Sequence, residues 1–101
     1  MRIYIAGPIT GTFDYRKNFS KAERRLSAMG HTIINPSFLP SGLNDYMPIC
    51  KAMLDQTDAV YFLRDSDKSV GAKEEYIYAQ KLGIKILYEE PNTAEKMLPF
   101  S

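Results

Sequence analysis

Four short runs rich in Ile, Val, Tyr and Phe, at Arg2–Ala6, Thr32–Asn35, Ala59–Leu63 and Ile84–Tyr88, alternate with segments whose apolar residues recur every three or four positions. The runs show little polar alternation, as strands covered on both faces do. In Asp14–Met29, the residues Tyr15, Phe19, Ala22, Leu26 and Met29 make one apolar stripe. Asp14 is placed to cap that helix and Gly30 to end it in a left-handed turn. Asn44–Thr57 repeats the pattern with Tyr46, Ile49, Cys50, Met53 and Leu54, and a third helix fits Gly71–Leu82, ended by Gly83. Strand and helix in this order, joined by right-handed crossovers, predict an α/β fold. It is a small doubly wound sheet, flavodoxin- or Rossmann-like, of about four parallel strands in the order 2-1-3-4, with helices on both faces.

At 101 residues the chain is one domain with room for a single modest core. Residues 1–90 carry the α/β pattern, and 91–101 read as a tail with a helical turn at Thr93–Leu98. Met97, Leu98 and Phe100 have no obvious home in so small a core and are expected to pack on a second subunit. The 13 Lys+Arg against 12 Asp+Glu give no basic field, so nucleic acid is not an expected partner. One cysteine excludes an intrachain disulfide and a cysteine metal cage, and fits a reducing compartment. Apolar runs are far shorter than the roughly 20 residues a membrane helix needs, and "MRIYIAG" enters a strand without a signal-peptide pattern. These features predict a soluble cytoplasmic protein with no membrane partner.

Ligands of open parallel sheets sit beyond the carboxyl ends of the strands, where the winding direction switches. Here that place is between the first and third strands, where the loops Ala6–Gly11, Asn35–Gly42 and Arg64–Ala72 gather. In "AGPITG", Gly7, Pro8, Ile9 and Gly11 make a loop whose amides can cradle an anion or sugar hydroxyls. It is neither a Walker loop nor a dinucleotide fingerprint, and its plain reading is a tight turn. On the third helix Ala72, Glu75, Tyr76, Ala79 and Leu82 share one face, whereas Glu74 falls with Tyr78 and Lys81 toward solvent. Glu75 is therefore the inward member of the "EE" pair. A carboxylate there must be hydrogen-bonded, paired or functional. The plain alternative is an acid favoured by the helix dipole or paired with Arg or Lys.

The segments "IYIAGPITG", "YRKNFSKAERRLSAMGHTIINP", "YMPICKAMLDQTDAVYFL" and "SVGAKEEYIYAQKLGIKI" resemble domain-of-unknown-function family 4406, found in bacterial and phage genomes, over about residues 1–88. That family is similar, more distantly, to the nucleoside 2-deoxyribosyltransferases and the 2'-deoxynucleoside 5'-monophosphate N-glycosidases. The resemblance implies that Glu75, within the pattern Gly71-x-x-x-Glu75-x-x-x-Ala79, attacks the anomeric carbon of a sugar. It implies further that Tyr4 holds this glutamate, and that Ser69 contacts sugar or phosphate. A serine at this position leans toward a 5'-phosphate. The relatives also carry an aspartate that handles the leaving base, eight residues before the acidic residue opening the third strand. Here that position is Cys50, and a thiol is a poorer proton partner than a carboxyl group.

Two readings follow from the resemblance. One is an N-glycosidase or 2-deoxyribosyltransferase acting on (deoxy)nucleosides or their 5'-monophosphates. Glu75 and Tyr4 would be its catalytic residues, with Gly7, Pro8, Ile9, Gly11, Asn35, Cys50, Ser69 and Gly71 around the substrate. The other is a non-catalytic nucleotide-binding or sensing module that lacks the leaving-base acid. A phospho-receiver is disfavoured, because the first strand runs into "AGP" without an acidic pair. Neither reading calls for a metal or organic cofactor, and the relatives imply a homo-oligomer, at least a dimer. The plain readings elsewhere are an inert core thiol at Cys50, a turn residue at His31, a solvated loop at Arg64–Lys68 and a wet helix side at Lys21, Arg24 and Arg25.

Overall fold

A computed structural model describes residues 1–9 and 11–97. Four parallel strands, β1 (Arg2–Ala6), β2 (Thr32–Ile34), β3 (Ala59–Phe62) and β4 (Lys85–Tyr88), lie in the order β2-β1-β3-β4. The register pairs Tyr4 with Ile34 on one side and with Val60 on the other. The helices are α1 (Tyr15–Ala28), α2 (Met47–Leu54), α3 (Val70–Leu82) and α4 (Pro91–Met97). The expected class and strand order are thus the observed ones.

Alternation along the strands divides the core in two. Ile3, Ile5, Ala59 and Tyr61 pack with Phe19, Ala22 and Leu26 of α1. Tyr4, Ala6, Val60 and Phe62 pack on the opposite face with residues of α2, α3 and α4. The central strands β1 and β3 are therefore apolar on both faces, while the edge strands β2 and β4 stay partly exposed.

Several local expectations are corrected. Asp14 precedes α1, but its side chain makes no capping bond; its backbone is left-handed (φ 55°), and its carbonyl accepts from Lys17 and Asn18. The helix expected over Asn44–Thr57 is only Met47–Leu54. Asp45 Oδ1 accepts the Met47 amide at 3.1 Å, and Pro48, which has no N–H, fits the first turn. At the other end the Thr57 hydroxyl donates to the Leu54 carbonyl at 2.8 Å and stops the helix. Asn35 leaves the second strand and caps a 3-10 turn, Pro36–Phe38, by accepting from the Ser37 amide. Leu82, expected on the inner face of α3, is 39% exposed, because this last turn before the left-handed Gly83 runs past the cluster that buries Ala79. Met97 needs no second subunit, since α4 brings it fully buried into the cluster around Tyr4 and Phe62. Leu98 and Phe100 lie outside the described residues. Among the described residues no helix is long and apolar enough to cross a membrane.

Candidate functional site

A cavity of about 360 Å³ opens beyond the carboxyl end of β1. Its floor is Tyr4, Ile5, Ala6 and Gly7, and the start of α3 supplies Ser69, Gly71, Ala72 and Glu75. The segment after β2 contributes Pro36, Ser37, Leu39 and Ser41, and α2 with its cap contributes Tyr46, Met47 and Cys50. Ile9, Tyr15 and Phe19 complete the wall. The volume falls within the ordinary range of small-molecule sites.

Glu75 is 6% exposed, whereas its neighbour Glu74 is exposed. The Tyr4 hydroxyl, wholly buried on β1, donates a hydrogen bond to Glu75 Oε2. Removal from water pushes the Glu75 carboxyl up from its ordinary 4.5 to about 7, against the opposing pull of hydrogen bonds from Tyr4 and Cys50. Burial, together with the adjacent Glu75, also pushes the Tyr4 phenol up, so it stays protonated and remains a donor. Burial likewise raises the Cys50 thiol, which bears on both Tyr4 and Glu75. The three side chains form one buried cluster, with Glu75 poised to ionise near neutral pH.

Ser69 caps α3, its hydroxyl oxygen accepting from the Ala72 amide at 3.1 Å. The amides of Val70 and Gly71 come before the helical ladder and have no partner within it. Beyond Ser69 and Gly71 lies a second, open cleft of about 920 Å³, which also takes in Pro8 and Gly11. Its cations are Lys21, Arg25, Arg64 and Lys68, the first two on the side of α1 expected to be merely wet. Arg25 pairs with Glu89 at 3.3 Å and Lys68 with Asp65 at 3.7 Å. The Lys68–Asp65 pair is exposed and Arg25 is open to solvent beside a partly buried Glu89, so both cations are screened and an incoming anion can compete for them.

Of the residues singled out in the sequence, Tyr4, Gly7, Ile9, Cys50, Ser69, Gly71 and Glu75 meet at the cavity, and Pro8 and Gly11 border the neighbouring cleft. Asn35 does not reach the wall. Its side chain is used up by the Ser37 amide and by Glu23 Oε1, and the turn it caps presents Pro36 and Ser37 instead. Gly7 owes its identity to packing, because a Cβ there would lie 2.9 Å from Leu63 Cδ1. The sequence reading missed Tyr15, Phe19, Tyr46 and Met47 as wall residues. They carry ordinary apolar helix spacing, and the only available signal was their closeness in the chain to the gathered loops.

The profile of the domain-of-unknown-function family DUF4406 matches residues 1–88. The chain belongs to the DUF4406 family. All the cavity residues named above fall inside the matched span of this DUF4406 chain. No curated protein and no solved structure matches the chain.

Proposed function

We propose that this DUF4406 protein acts on the N-glycosidic bond of nucleosides or their 5'-monophosphates, as an N-glycosidase or 2-deoxyribosyltransferase. The observation that carries the reading is the buried Glu75, held by Tyr4 on the wall of a cavity large enough for a small ligand. A carboxylate beneath the anomeric carbon stabilises the oxocarbenium-like transition state and can trap the sugar covalently. Tyr4 fixes the orientation of the carboxylate and, by hydrogen bonding, favours its charged form. Supporting a phosphate are Ser69, at the meeting of the two recesses, and the cations of the open cleft. A homo-oligomer belongs to the same proposal. Phe13 and Phe38, next in the chain to wall segments, are 90% and 75% exposed, which suits a subunit contact. A monomer in sedimentation at micromolar concentration would remove that part.

Incubation with deoxynucleosides and their monophosphates, followed by chromatography of the free base, tests the reading. Base release that Glu75→Ala abolishes is expected; release undiminished in the variant removes Glu75 as nucleophile. A second reading is favoured by Cys50, a thiol at the position where the resemblance implies the acid that handles the leaving base: a nucleotide-binding module without catalysis. Calorimetric binding with no base released would select it.

A further inference from the structure

The ionisable groups on the cavity wall limit which glycosides the site can open. Among the described residues lining it, Glu75 is the only carboxyl group, and there is no His, Lys or Arg. Retaining glycoside chemistry uses two carboxyl groups, one beneath the sugar and one to protonate the leaving atom. Glu75 can serve in only one of those roles during bond cleavage. The Tyr4 hydroxyl is committed to Glu75, the Tyr46 hydroxyl donates to the Pro40 carbonyl, and Tyr15 brings a phenol, by its chemistry a far weaker acid than a carboxyl group. Cys50 is a buried thiol whose proton is held more tightly than usual. Without a second carboxyl group to protonate it, the base of a neutral nucleoside would leave with anionic character in a cavity whose wall includes the apolar Phe19, Leu39 and Met47.

Resting on the Glu75 reading above, we propose that the preferred substrates are cationic N-glycosides. In these the heteroaromatic ring nitrogen bonded to C1' already carries the positive charge, and the base leaves as a neutral molecule. Such a leaving group needs no proton donor. The site's one carboxylate meets the charge of the bound ring, and the wall includes aromatic side chains, Phe19 and Tyr46 among them, the residue type that attracts a cation. The thioether of Met47 adds a polarizable contact. Arg16, whose guanidinium lies 5.2 Å from the Tyr15 ring centroid, is not part of the wall and is bound to the Ser37 carbonyl.

The step balances without a further reactant. Glu75 forms a C1'–O bond as the C1'–N bond breaks, and the electron pair of the broken bond neutralises the ring nitrogen. Water then adds at C1', the C1'–O pair returns to the carboxylate, and the proton of the water passes to solvent. The sum is glycoside cation plus water giving free sugar, neutral base and one proton. A cation in the cavity also favours the ionised form of Glu75, so it promotes the nucleophile that attacks it.

The test uses the wild-type protein and matched pairs: N7-methylguanosine against guanosine, and nicotinamide riboside against its uncharged dihydro form, each also as the 5'-monophosphate. Free base is measured by chromatography and divided by the protein-free rate, which removes the intrinsic lability of the cations. General acid catalysis typically contributes 10²–10⁴-fold. The acceleration is therefore expected to be at least about 100-fold larger for the cationic member of each pair. Calorimetry below pH 7 in buffers of different ionisation enthalpy should show a proton released on binding the cation and none with its neutral partner. Equal or greater acceleration of the neutral members overturns this inference and leaves the Glu75 glycosidase reading standing. Neither binding nor base release with any of the compounds overturns both.

Discussion

Tyr4 and Glu75 lie 71 positions apart in the chain and meet hydroxyl to carboxylate, one fully buried in a central strand and the other on the inner face of α3. Among the groups that oppose the burial of Glu75, the Tyr4 hydrogen bond is foremost in holding its pKa down. Tyr4→Phe keeps the ring and removes that bond. Glu75 should then ionise only at higher pH, moving the acidic limb of the base-release profile upward and lowering the rate below it. Stability should fall by about 1–3 kcal/mol, the usual cost of a buried partner left unsatisfied. A pH–rate profile of the variant superimposed on wild type would show that the bond does not govern the carboxylate.

Glu75→Gln tests the charge itself through stability. Burial raises the folded-state pKa from 4.5 to about 7, so the folded protein binds this proton more tightly than the unfolded chain. The contribution is fully present below pH 4.5 and is lost as pH rises through about 7, on the order of 3 kcal/mol in all. The glutamine cannot titrate. Urea denaturation between pH 4 and 8.5 should show the wild type losing stability across that window relative to the variant. The variant should be the more stable of the two at the alkaline end. Parallel curves would mean that Glu75 does not titrate there.

The architecture was legible because strand and helix periodicities alternate cleanly, and a four-stranded doubly wound sheet leaves few choices of order. The inward turn of Glu75 was legible for the same reason, as helical spacing alone separates it from Glu74. What escaped were features set by single contacts. Pro48 and the bond from the Met47 amide to Asp45 set the start of α2, and the Asp14 side chain makes no capping bond where a left-handed backbone turns the chain. Asn35 spends its amide on Glu23. The aromatic wall of the cavity was hidden because Tyr15 and Phe19 look like any other stripe of α1.

Gly7→Ala should destabilise the fold by roughly 1–3 kcal/mol through overpacking. The new methyl would sit 2.9 Å from Leu63 Cδ1 and 3.0 Å from Leu63 Cβ, and Leu63 is buried in the cluster under α1. Gly71→Ala is the contrast, since its methyl would meet nothing closer than Met47 Cε at 3.8 Å. That variant should keep or slightly gain stability in thermal melts. Equal losses at both positions would contradict the packing account of Gly7.

Met97→Ala should cost about 2–5 kcal/mol, the range for deleting a large buried side chain. Met97 is fully enclosed by its own subunit. The loss should therefore be the same at low and high protein concentration in denaturant titrations. A loss that grows as the protein is diluted would instead assign this side chain to a subunit interface.

Cys50→Asp places a second carboxyl group beside Tyr4 and Glu75, on the wall of the same cavity. Two carboxyl groups in one poorly hydrated site resist ionising together, so one keeps its proton to higher pH and can pass it to a departing nitrogen. Turnover of neutral deoxynucleosides should rise at least about 10-fold, a conservative share of what general acid catalysis supplies. Cationic glycosides, which need no such proton, should gain little, so the preference between matched pairs narrows. Cys50→Ser preserves the size without adding an acid and should gain nothing, which separates proton supply from a change in packing. Free base measured by chromatography from pH 5 to 8 decides the matter. An aspartate variant no faster than the serine variant on neutral substrates would show that protonation of the leaving base is not the step this site lacks.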